Sequence, residues 1–226
     1  MAKTAILVDG GFYRIRAKRL WGKKSAQDRA EELFRYAFRH LDKTDGDIPR
    51  ELYRIMYYDC PPAESTVYHP ALKKNIEFRK RETFQWTLDF FAALKTKRKM
   101  ALRLGKLSEV KPHFIMNETT ALDLCKGRKS VEELSEHDFH ISFKQKGVDM
   151  KMGVDISSLA YEGIVNQIIL ISGDSDFVPA AKAARRKGID FILDPMGSSV
   201  SPDLFEHIDG MESFLDYDPQ QGKHNN

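Results

Sequence analysis

The sequence predicts an α/β fold with a mainly parallel central sheet, and three observations predict it. The runs "TAILVD" (Thr4 to Asp9), "NQIILIS" (Asn166 to Ser172) and "IDFILD" (Ile189 to Asp194) are apolar without alternation, the pattern of strands buried on both faces. Between the last two lies "DFVPAAKAARRKG", a helix with Pro179 near its start and Gly188 closing it. Strand and helix therefore alternate, as they must where parallel strands are joined by crossovers.

The remaining elements follow in order. The first strand ends on Asp9 and runs into Gly10 and Gly11, which let the backbone turn sharply before "FYRIRAKRLWGKK". "SAQDRAEELFRYAFRHL" reads as a helix opened by Ser25 or Asp28, with Leu33, Phe34, Ala37, Phe38 and Leu41 on one face. "ELYRIMYYD" is a second strand ending on Asp59, and "CPP" halts regular structure. "ALKKNIEFRKRETFQWTLDFFAALKTK" is amphipathic and reads as a helix; "MALRLGKL" and "KPHFIM" are weak strand signals. From Phe139 onward, "FHISFK" is a strand, "KGVD" turns into the helix "MKMGVDISSLAYEG", and "SPDLFEHID" is a short capped helix. This organisation predicts a single domain over residues 1–216, with a core of 1–60 and 139–216 and an insertion at 61–138. The tail, residues 217–226, has no apolar anchor and reads as disordered.

Composition narrows the class. With 226 residues, 42% hydrophobic and 31% charged, the chain is of the soluble globular type. No apolar run approaches the roughly 20 residues of a membrane span, and "MAKTAILVDGG" is not built like a signal peptide. Cys60 and Cys125 are the only cysteines, without zinc-type spacing, which points to free thiols in a reducing, cytoplasmic setting. Net charge is only +3, but Leu72 to Lys111 holds twelve Lys/Arg against four acids. Arg14, Arg16 and Lys18 add a second basic group, interleaved with aromatics such as Tyr13 and Trp21. Such a front half suits a polyanion such as nucleic acid, although each cluster taken alone reads equally as a solvated helix face.

Ligands of parallel α/β sheets bind beyond the carboxyl ends of the strands. Asp9 ends the first strand, Asp174 and Asp176 follow "IILIS", and Asp149 opens the "MKMGVDI" helix after Gly147. Gathered in one crevice these carboxylates repel, and a hard divalent cation such as Mg²⁺ or Mn²⁺ relieves the repulsion. Such an ion activates water and neutralises charge on a phosphodiester. Singly, Asp176 and Asp149 read as helix caps; the joint occurrence favours a metal site. Asp155 lies roughly 240° round the helix from Asp149, off its face, and reads as a packing or salt-bridge residue. Asp59 and Asp194 each precede proline and read as turn residues, and His69 and His113 as structural or substrate-contacting. The first strand carries neither DxDx[TV] nor GxGxxG, and Walker A and GxSxG motifs are missing.

With "ILVDGGF", "KGVDMKMGVDI" and "ISGDSDFVPAAKAARRKGIDFIL" the chain resembles the NYN family, in the LabA-like branch of the PIN-like nucleases. The resemblance covers both ends of the core and is strongest from Lys146 to Asp194. It implies a PIN-like sheet and a metal-dependent ribonuclease, with Asp9, Asp149, Asp174 and Asp176 as catalytic metal ligands for Mg²⁺ or Mn²⁺. Asp155 matches a recurrent acid of the family. Relatives commonly carry "DGxN" after the first strand, whereas Phe12 stands here, as in a "DGGF" subgroup. Ser175 is placed either to bond a phosphate or a metal-bound water, or to cap backbone. Arg14, Arg16 and Lys18, with Lys95, Lys97, Arg98, Lys99 and Arg103, are the expected guides for single-stranded RNA. Pairing of PIN-like domains makes a homodimer plausible. The competing readings are a non-catalytic RNA-binding or regulatory module that keeps the acidic site, and a metal-dependent phosphatase or nucleotide hydrolase.

Overall fold

The strand β1, Ala2–Asp9, is the middle of the molecule: Thr4 to Val8 are fully buried. A two-residue side-chain period sends Ala5 and Leu7 into one core with Met56, Tyr58, Ile168 and Leu170. Ile6 and Val8 enter a second core with Tyr13, Tyr57, Ile169 and Ile171. The computed structural model describes residues 1–42, 49–107, 112–143 and 145–216. After β1 come α1 (Gly10–Trp21), α2 (Ala26–Asp42) and β2 (Arg50–Asp59). A hairpin of β3 (Thr66–His69) and β4 (Lys74–Glu77) precedes α3 (Glu82–Lys95) and β5 (Met100–Leu104). Then follow β6 (Lys106–Leu107), β7 (His113–Met116), α4 (Glu118–Cys125), β8 (Phe139–Ser142) and β9 (Gln145–Lys146). The last section is α5 (Val148–Tyr161), β10 (Gln167–Ile171), α6 (Val178–Arg186), β11 (Asp190–Asp194), α7 (Pro202–Glu206) and β12 (Gly210–Met211).

Six strands form one parallel sheet in the order β12-β11-β10-β1-β2-β5. Helices α1, α2 and α3 cover one face and α5, α6 and α7 the other, which makes the predicted α/β layering the observed one. The pairs β6/β9 and β7/β8 are antiparallel and lie outside this sheet.

Two buried polar clusters tie the helices down. Glu32 of α2 accepts from Tyr13 (3.1 Å) and Lys24 (2.6 Å) and pairs with Arg29, whose guanidinium also donates to the carbonyl of Gly22. Asp194, at the end of β11, accepts from Tyr36 (2.6 Å), Ser213 (2.7 Å) and the Met196 N–H (2.8 Å), with His40 Nε2 at 2.9 Å. The Met196 bond agrees with a turn role for Asp194, but the carboxylate also joins α2 to the far half of the sheet. Buried acids satisfied this fully stabilise a unique packing, since removing a partner would strand a charge.

Residues 10–21, to which the sequence assigned no element, form α1. Two expectations are corrected. The stretch 71–97 is helical only in its second half. Lys74–Glu77 pairs with β3, Lys73 turns the hairpin at φ 49°, and a 3-10 turn with extended Arg81 separates that strand from α3. Finally, β5 hydrogen-bonds to β2 and α3 packs behind it, so the central sheet reaches into the span assigned to an insertion. Residues 217–226 lie outside the described residues.

Gly10 is the tightest point of this arrangement. A Cβ there would stand 2.5 Å from the Tyr57 ring and 2.6 Å from the Tyr58 carbonyl, both inside the sheet and unable to yield. Gly10→Ala should therefore cost about 1–3 kcal/mol or more through overpacking. Urea unfolding checks this, and an unchanged midpoint would contradict the packing described.

Candidate functional site

The chain leaves β1 toward β2 and β5 and later returns through β10 toward β11 and β12, so the crossovers diverge between β1 and β10. Such divergence opens a crevice at the carboxyl ends of the two strands. The register pairs Val8 with Ile171 and Asp9 with Tyr58, so Asp9, residues 172–176 and Asp59 emerge at one edge.

Asp9 is partly buried and caps α1: its Oδ1 accepts from the Phe12 N–H at 3.0 Å. Its Oδ2 accepts from the hydroxyl of buried Ser172 at 3.3 Å, and the same hydroxyl oxygen accepts from the Asp174 N–H at 3.3 Å. Asp174 Oδ1 in turn accepts from the Asp176 N–H at 2.9 Å, so Asp174 caps the turn Ser175–Phe177. The Asp176 side chain is thus not the cap and stands exposed. Asp149 is not a cap either. Gly147, in the left-handed region at φ 81°, opens α5 without any side-chain bond.

Electrostatics shows how these groups sense one another. Burial, followed by repulsion from Asp174 and Asp176, holds the Asp149 carboxyl above the usual carboxylate range. Burial also raises Asp9; the Phe12 and Ser172 hydrogen bonds oppose this, while Asp149 and Asp59 add to it. Among the described residues, none of the four forms an ion pair. Four carboxylates with unspent oxygens and no cationic partner fit a hard cation, which takes oxygen ligands and keeps several waters. No three of them bring ligand oxygens within 4.8 Å; among the described residues only Asp203, Glu206 and His207, on and just after short α7, do so.

The accessory residues divide. Phe12 lays its ring over Gly173, where a Cβ would come within 2.8 Å of Phe12 Cε2, and so lines the floor of the crevice. Ser175 is exposed in the 3-10 turn. Asp155 accepts from the Tyr58 hydroxyl (2.7 Å) and pairs with Arg103 (3.1 Å), the packing and ion-pair role its spacing predicts. His69 is buried against Phe114, with ring centroids 4.2 Å apart, and serves the aromatic core outside the sheet.

The basic residues do not form one surface. Lys95, Lys97, Arg98 and Lys99 precede β5, whose register with β2 puts them at the amino end of the sheet, about 13 Å of strand from Leu104. Lys97 is paired with Glu31, and Lys99 donates to the carbonyl of Leu52. This group therefore does not flank the aspartates, which corrects the expected single RNA path. Arg16 donates to the Met196 carbonyl (2.6 Å), and Lys18 is exposed on α1. Arg14 does lie at the carboxyl edge, held by Asp59 at 3.1 Å.

Asp59 and Ser172 are the residues that sequence reasoning missed. Asp59 is buried, accepts from Tyr57 (2.9 Å) and the Cys60 N–H (2.8 Å), and pairs with Arg14. Its signal was present: it ends an apolar strand, as Asp9 does, and only the following proline pointed to a turn. Ser172 carried no signal, since a serine after an apolar strand is ordinary.

A carboxyl whose folded pKa is raised binds its proton more tightly when folded, so stability falls as pH rises through that pKa. Asp149→Asn removes this penalty. In chelator its Tm should exceed that of the native chain, by a margin that grows from about pH 4, near the unfolded carboxyl value, toward neutrality. Mn²⁺ should stabilise the variant less. Thermal melts check both, and a margin independent of pH would contradict the repulsion.

The family model for the NYN domain matches residues 115–207, which contain Asp149, Asp174 and Asp176. No curated protein matches the chain. A solved structure of a protein of unknown function from Vibrio parahaemolyticus is similar at 11% identity, with 94% of this chain and 92% of that one covered and a TM-score of 0.47. NYN domains are generally nucleases of the PIN-like kind. Over residues 115–207 the chain is similar to the NYN domain.

Proposed function

We propose that the chain is a ribonuclease dependent on Mg²⁺ or Mn²⁺, hydrolysing RNA phosphodiester bonds at the β1/β10 crevice. What supports this reading is that Asp9, Asp149 and the pair Asp174 and Asp176 come from three separate segments, that Asp149 feels the charge of Asp174 and Asp176 and Asp9 that of Asp149, and that none of the four forms an ion pair among the described residues. All four would hold the metal, which when bound neutralises phosphate charge and activates water for in-line attack. Ser172 holds Asp9 and the Asp174 backbone in register, so that an oxygen of each faces the crevice. Asp174 uses one oxygen as a cap and keeps the other free. Arg14, paired with Asp59 at the end of β2, would offer positive charge to a phosphate of the strand.

Single-stranded RNA is the expected substrate, because the site is a crevice in one sheet edge, not a surface shaped to a duplex groove. Among the described residues no helix is long and apolar enough to cross a membrane.

The test is a cleavage assay on mixed RNA and DNA oligonucleotides with Mn²⁺, Mg²⁺ or EDTA. Cleavage of RNA should require the metal, and Asp174→Asn should lower it by roughly 100-fold or more, as for loss of one group that stabilises transition-state charge. RNA binding should persist in the variant. Equal cleavage by both proteins defeats the proposal. Binding without turnover in the native chain would favour a non-catalytic RNA-binding module instead.

A further inference from the structure

Between the end of β2, the start of α3 and β8 lies a cavity of about 330 Å³. Its walls include Phe78, Phe84, Phe143, Arg14 and Arg81, and among the described residues no acidic one lines it. Phe78 and Phe143 meet edge to face at 5.0 Å, and the Arg81 guanidinium lies 4.8 Å above the Phe78 ring. Arg14 enters from the core side. One end of its guanidinium is held by Asp59 at 3.1 Å, while its Nε is buried and has no hydrogen-bond partner among the described residues. A buried N–H donor left without an acceptor is costly.

The cavity adjoins the crevice through shared residues. Arg14 is fixed by Asp59, the neighbour of Asp9 across the β1/β2 edge. Cys60, also in the wall, packs against Gly105, where a Cβ would meet Val148 at 2.7 Å and the Cys60 sulfur at 3.0 Å. Val148 immediately precedes Asp149. Most of the wall comes from residues 14–107, outside the 115–207 that match the NYN model.

We propose that this cavity receives one unpaired nucleobase of the strand whose phosphate lies at the aspartates. The inference rests on the nucleic-acid reading of the crevice and adds to it a subsite. Aromatic faces and a guanidinium plane stack on any base. The volume lies at the small end of ligand sites, about 300–1,000 Å³, and takes a single flat ring system. Positive charge from Arg14 and Arg81, with no acidic lining among the described residues, agrees with a polyanionic strand.

Ala63→Trp fills the cavity from its rim, where Ala63 is partly exposed. Arg81→Ala removes an exposed guanidinium that makes no side-chain cap bond at the start of α3. Each is placed in an Asp174→Asn background. Dissociation constants are then measured by fluorescence anisotropy on a short single-stranded RNA and on the same oligomer carrying one abasic site, walked along its length. The unmodified cavity should lose roughly 5- to 100-fold in affinity when the abasic site occupies the subsite, and much less elsewhere. Ala63→Trp should weaken the intact oligomer by a similar factor and erase the dependence on abasic position, with Arg81→Ala intermediate. Affinity independent of abasic position, or unchanged by both substitutions, overturns the subsite. If the native chain cuts RNA but neither substitution matters, the subsite fails while the ribonuclease reading stands. If position-dependent binding is found without cleavage, the subsite stands and the ribonuclease reading fails. No binding to RNA at all defeats both.

Discussion

The parallel pairing of β1 with β10 on one side and β2 on the other is the constraint from which the rest of this molecule follows. It buries β1 on both faces, so its residues must be apolar up to the point where the strand leaves the sheet. At that point the crossovers diverge, the layers part, and polar groups can meet solvent. Gly10 belongs to the same constraint: the chain turns into α1 directly against the rings and carbonyls of β2, and only a residue without a Cβ fits. Core packing and site geometry are therefore one problem, solved by one strand.

The acidic residues fall into two populations, and the contrast separates scaffold from site. Glu32, Asp194 and Asp59 are buried, and each is met by several donors, including a cation or a histidine. They hold helices and strands at fixed angles, and their charge is answered within the protein. Asp9, Asp149, Asp174 and Asp176 accept bonds from a hydroxyl or backbone N–H at most, and face other carboxylates. Their charge is answered by nothing among the described residues, which is the condition under which an external cation gains affinity.

Much of the fold was legible because double-buried strands and capped helices have local signatures. "TAILVD", "NQIILIS" and "IDFILD" became β1, β10 and β11, and "KGVDMKMGVDI" opened α5 as its glycine demands. The failures were non-local. The amphipathic pattern from Ala71 to Lys97 conceals a hairpin, because Lys74–Glu77 is a strand only by virtue of pairing with Thr66–His69. Likewise the edge strand β5 reads weakly, since it is partly exposed and takes its identity from β2. Clustered charge in the sequence also misled. Lys95, Lys97, Arg98 and Lys99 are adjacent along the chain yet lie at the amino end of the sheet, because the strand that follows them runs parallel to β2.

By itself the sequence determined the layered class, the strand-end positions of Asp9, Asp174 and Asp176, and the placement of Asp149 at a helix start. Each of these depends on periodicity or on a neighbour one or two residues away. Tertiary structure alone decided that the strand ends adjoin, that Ser172 bridges Asp9 to Asp174, and that Asp59 positions Arg14. It also decided which basic residues stand near the aspartates and which stand behind the sheet. Those are relations between residues up to 163 positions apart. Strand order and register set them, and a local pattern cannot encode which strand will lie beside which.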